Sequence, residues 1–186
     1  MLVPLEPPRR DIRFATWQLY DQMWDERIAE MFVMLRRIEE VVEYYYYQSI
    51  RTQTAAYDLY KELIKDGKSD KEARDIVIRY NGIGGARKPD SRLPEASREF
   101  FYMADKMREA QKKPDMVLKT KNTDIMYLPN IVERLRKCGL ACKNTYDLVN
   151  RTSREKQLFN AESYTNELRK YMDILQGMCR TFRISY

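Results

Sequence analysis

Histidine is absent from this 186-residue chain. That removes the commonest general base, together with the Ser-His and Cys-His nucleophile arrangements. It also leaves zinc without its usual nitrogen ligand, so a structural zinc site would need cysteines and carboxylates, an uncommon set. Cysteine is scarce as well, with only Cys138, Cys142 and Cys179. An odd count at this length is not a disulfide framework, and these three are expected as small buried core residues. Glycine and proline are missing altogether between residues 11 and 65. No run of about 18 apolar residues occurs, so no membrane span is expected. The start MLVPLEPPRRD lacks the long apolar stretch of a secretory signal. These exclusions lead to the expectation of an intracellular or virion-internal protein that is not an enzyme, with no cofactor and no metal.

What is present is helical. Apolar and aromatic residues recur at Trp17, Tyr20, Trp24, Ile28, Met31, Leu35, Ile38, Val42 and Tyr45, in steps of three and four. That spacing keeps one face of an α-helix apolar for nearly thirty residues. Ser49, Thr52 and Thr54 lower helix propensity and place a kink near residues 48–54. Gly67 suits a helix stop, and Ser69-Asp70-Lys71-Glu72 has capping-box spacing, so a short helix is predicted to run to about Tyr80. Residues 81–93, NGIGGARKPDSRL, form the clearest loop. Pro94 opens a helix through Phe100, Phe101, Met103 and Met107, which Pro114 stops. Residues 114–128 read as a mixed linker. Pro129 opens another short helix with Gly139 at its end, and a long polar helical region covers about 144–182. No convincing strand is found, the nearest being 182–186, and there is no internal repeat.

The fold class is therefore all-α: a long N-terminal helix plus a helical bundle, with an extended N-terminal arm. The arm is 1–10, biased toward polyproline geometry by Pro4, Pro7 and Pro8. A long helix and helical hairpin follow over 11–80, then the Gly/Pro loop 81–93 and a bundle over 94–186.

Charge is uneven along the chain. Residues 1–66 hold nine Lys+Arg against twelve Asp+Glu, and residues 67–186 hold twenty-five against sixteen. A basic half suits a polyanion, because cations that neutralise phosphates release counterions. The candidate phosphate contacts are Arg9, Arg10, Arg13, Arg36, Arg37, Arg87, Lys88, Arg92, Lys119, Lys121, Arg151 and Arg154. Arginine dominates them, and its fork matches phosphate oxygens. No base-reading motif accompanies them, so contact with the backbone and little sequence readout is expected. Gly82-Ile83-Gly84-Gly85 has no preceding strand and no following Gly-Lys-Ser/Thr, and reads as a hinge, not a nucleotide loop. Glu39, Glu40 and Glu43 read as a solvated helix face.

Tyr44-Tyr45-Tyr46-Tyr47 is the most unusual local feature. Four consecutive helical residues sweep about 400°, so they cannot all face one core. Trp17, Tyr20, Trp24 and Tyr44 to Tyr47 are the candidate oligomer interface, since aromatic rings offer large contact area and a polar handle. The layout of arm, long helix, hinge and later helices resembles the α-helical capsid proteins of filamentous archaeal viruses. That resemblance implies a nucleocapsid subunit that coats double-stranded DNA and packs against copies of itself or a related helical subunit. The alternative is a helical adaptor of a larger protein complex without nucleic acid.

Overall fold

The computed structural model describes residues 3–4, 12–83, 88–110, 116–118 and 126–181, with side chains at 29–80, 82–83, 88–108 and 131–180. The chain is all-α in class. After β1 (Val3–Pro4) comes α1 (Ile12–Lys65), then α2 (Asp70–Arg79) and a single 3-10 turn (Asn81–Ile83). α3 (Arg92–Ala110), β2 (Met116–Leu118) and β3 (Met126–Tyr127) precede α4 (Leu128–Arg151), α5 (Arg154–Leu158) and α6 (Glu162–Thr181). The short strands correct the expectation of none. β2 pairs antiparallel with both neighbours, placing Val3 opposite Val117 and Val117 opposite Tyr127. The remainder of the arm and the terminal segment 182–186 lie outside the described residues.

α1 runs for 54 residues without interruption, a length of about 80 Å at 1.5 Å per residue. The helix does not break near residues 48–54. Its polar residues bond back onto the helix or across to α6: Thr52 Oγ1 donates to the Gln48 carbonyl at 2.9 Å, and Ser49 Oγ lies 2.8 Å from Thr165 Oγ1. Tertiary pairing outweighs the few tenths of a kcal/mol that propensity sets against a helix here. The end of α1 matches expectation. Gly67 takes φ +94°, and the Gly67 and Lys68 amides donate to the carbonyls of Ile64 and Leu63, a Schellman closure. Ser69 then caps α2 by accepting from the Glu72 amide.

Two apolar clusters share α1. The larger joins Met31, Leu35, Ile38, Val42 and Tyr45 to Leu93, Phe100 and Met107 of α3, Leu135 and Cys142 of α4, and Leu168 and Leu175 of α6. The smaller joins Ala56, Val77, Ile83 and Leu158 beneath α2 and α5. The long helix and the bundle thus have one core in common, although the sequence divides them at the 81–93 loop.

α4 corrects another boundary. Gly139 was expected to end a short helix, yet α4 passes through it for 24 residues. The glycine is there for space. A Cβ at Gly139 would sit 2.9 Å from the Phe101 ring, and the Gly139 carbonyl accepts from buried Ser97 Oγ at 2.8 Å. α3 and α4 approach closely at this point. Gly139→Ala should therefore destabilise the protein by about 1 kcal/mol, overpacking outweighing the gain in helix propensity. In a Phe101→Ala background the same change should become stabilising. Urea denaturation of the four proteins checks this reversal of sign.

Candidate functional site

The interior holds a group that sequence reasoning placed on the surface. Glu39 is fully buried. It lies four residues after Leu35 and three before Val42, within the apolar stripe, and that spacing was the available signal. Glu39 Oε1 accepts from Gln176 Nε2 of α6 at 3.0 Å, and Oε2 accepts from Arg36 Nη1 at 2.9 Å. Glu43, one turn further along α1, is within hydrogen-bonding reach. Burial is the main cause that pushes the Glu39 carboxyl up to about 7; the Glu43 carboxyl adds to the rise, while Gln176 and Arg36 oppose it. A carboxyl facing a carboxylate in low dielectric keeps its proton unless enough donors replace it.

The cysteines are buried as expected. Burial pushes the Cys142 thiol up to about 12 and, with the nearby Glu39 charge, the Cys179 thiol up to about 11. Thiols so shifted are poor nucleophiles. Among the described residues no group of three or more Cys, Asp or Glu is placed to hold a metal ion, and no helix is long and apolar enough to cross a membrane.

The tyrosine run divides by helical geometry. Tyr45 is inside the core and its hydroxyl donates to the Lys88 carbonyl at 2.8 Å, which corrects its assignment to an oligomer interface. Tyr46 is half-buried against the same core. Tyr44 and Tyr47 are exposed, at 58% and 44%, and face solvent one turn apart. From Met31 to Tyr45 the apolar stripe is covered by α3, α4 and α6 of its own chain, so that stretch needs no neighbour to bury it. The side chains of Trp17, Tyr20 and Trp24 lie outside the described residues.

The basic candidates also scatter. Arg9, Arg10, Arg87, Lys119 and Lys121 lie outside the described residues, as does the side chain of Arg13. Arg36 is engaged by Glu39 and, at 3.3 Å, by Glu40. Arg92 grips Asp90 at 2.7 Å, and Arg151 reaches Glu167 at 3.3 Å. Arg154 is half-buried on α5. Arg37 and Lys88 are exposed. Exposed pairs such as Arg151–Glu167 are worth about 0–1 kcal/mol, so such an arginine can change partner at little cost. Arg36 cannot, because releasing it would strand buried Glu39.

Arg37 and Arg92 do share one feature that the sequence did not disclose. They line an open groove of about 770 Å³ between α1 and α3. Ala29, Val33, Met34, Ile38, Val41 and Ala96 supply its apolar surface, and Glu30, Glu95, Glu99, Arg37, Arg92 and Arg98 its charges. Three carboxylates and three guanidiniums balance to zero. Val33 is 52% exposed, an apolar residue off the core stripe, and that offset was the signal missed.

No protein family, curated protein or solved structure matches this chain.

Proposed function

We propose that the chain is a structural, assembly-forming subunit that acts through protein–protein contact and performs no catalysis. The observation that carries this reading is the open α1–α3 groove, which combines apolar residues with a charge-balanced rim. Such a groove suits an amphipathic helix, whose apolar residues fill it while its flanking charges meet the rim. Exposed Tyr44 and Tyr47 lie on a separate part of the α1 surface, beside Arg36, Glu40 and Glu43, and offer a second aromatic contact. Sedimentation velocity of the purified full chain across a hundredfold range of concentration tests the reading. Concentration-dependent oligomers are expected; a monomer throughout overturns it.

A second reading, that the assembly coats double-stranded DNA through its phosphates, is favoured by the excess of nine positive charges over residues 67–186. Exposed Arg37, Lys88 and Lys143 add to it, and it agrees with the resemblance in sequence layout to filamentous-virus capsid proteins. Filter retention of duplex DNA should be strong at 20 mM salt and fall steeply with salt, as counterion release requires. Absence of retention at low salt removes the nucleic acid from the proposal.

A further inference from the structure

We infer that the α1–α3 groove is a two-fold docking face whose occupant is α1 of a second copy of this chain. The inference rests on the assembly-forming reading above and names its partner. The order of charges along α1 carries it. Glu30 stands one turn before the groove residues Val33, which is exposed, and Met34, which is half-buried against the core, and Arg37 stands one turn after. Two copies of α1 laid antiparallel, with the two-fold axis between Val33 and Met34, bring Glu30 of each against Arg37 of the other. Val33 and Met34 of the two copies then meet at the axis. A parallel arrangement would instead oppose like charges.

A two-fold contact is isologous, so one face must be complementary to itself. This face meets that condition: its formal charges cancel, and its apolar residues lie between charges of opposite sign. The α3 side continues the pattern, with Arg92, Glu95, Arg98 and Glu99 mixing both signs along the rim. A phosphate backbone fits less well, because Glu30, Glu95 and Glu99 would face it. Seating each α1 in the groove of the other copy gives a central α1–α1 pair flanked by the two α3 helices, a four-helix layer of ordinary spacing.

Charge reversal tests the arrangement in the full-length protein. Arg37→Glu alone opposes Glu30 with a carboxylate at two symmetric places, and Glu30→Arg alone does the same with cations. Either variant should raise the dimer dissociation constant at least tenfold by sedimentation equilibrium. The double variant, Glu30→Arg with Arg37→Glu, restores opposite charges at both places and should return to within about threefold of wild type. Both positions are exposed, and unchanged circular dichroism melting confirms that each variant folds. Single variants that associate as wild type overturn the groove assignment while leaving the assembly reading standing. A double variant as weak as the singles overturns the antiparallel register. A wild type that is monomeric at every concentration overturns this inference and the assembly reading together.

Discussion

Glu39→Gln should hold the melting temperature nearly level between pH 5 and pH 8, a range over which the wild-type protein should lose stability. Glu39 is fully buried on α1 and faces Glu43 on the same helix and Gln176 on α6. Its carboxyl is raised from 4.5 to about 7 in the folded chain. A group with a raised folded value binds its proton more tightly when folded. Its contribution is therefore complete below pH 4.5 and is lost as pH rises through 7. A shift of this size corresponds to a difference on the order of 3 kcal/mol, or roughly 5–10 °C for a chain of this length. Glutamine has the shape of the protonated acid. Its amide nitrogen can donate toward Glu43 while its oxygen accepts from Gln176 or Arg36. The variant should match wild type near pH 5 and exceed it near pH 8. Thermal melts that run parallel for the two proteins across this range would show that Glu39 does not titrate there.

The same residue shows what was legible in the sequence and what was not. The apolar stripe from Met31 to Tyr45 was readable from its three-and-four spacing, and the structure buries it as one face of α1. What covers it was not readable, because spacing reports which residues face inward and not which element they meet. The chain's own α3, α4 and α6 cover that stretch. Glu39 shares the spacing but not the chemistry, and residue type alone sent it to the surface; partners more than a hundred residues away decide otherwise. Gly67 and Ser69 were read correctly because their effects are local, carried by a positive φ and a single side-chain bond. Gly139 was misread for the opposite reason, since its role is set by Phe101 and Ser97 on another helix. The basic residues followed the same rule. Their number is a property of composition, but whether an arginine is available depends on which carboxylate folding brings to it, as Arg36 and Arg37, adjacent in sequence, demonstrate. The groove between α1 and α3 combines residues sixty positions apart, and only the isolated Val33 hinted at it.

Phe100→Ala should cost about 3–5 kcal/mol, the range for removing a buried phenyl ring whose surroundings collapse only in part. Phe100 is fully buried on α3 and belongs to the cluster that joins α1, α3, α4 and α6, so no single helix can move to close the gap without disturbing the other three. The melting temperature should fall by roughly 10 °C or more, with α1, α3, α4 and α6 lost in one transition. Val77→Ala, in the smaller cluster beneath α2, gives the contrast. Among the described residues that cluster has Ala56, Val77, Ile83 and Leu158 buried in it, and the change removes two methyl groups, worth about 1–2 kcal/mol. Because so little surface ties α2 down, its amides should exchange with solvent through local opening well before the core helices release theirs. Hydrogen exchange on the two variants separates the cases. Phe100→Ala should accelerate exchange in α1, α3, α4 and α6 alike, whereas Val77→Ala should accelerate it in α2 and leave α3 and α4 protected. If α3 and α4 lost protection to the same degree in Val77→Ala, the two clusters would be one cooperative unit, and the long helix would have to transmit packing from end to end.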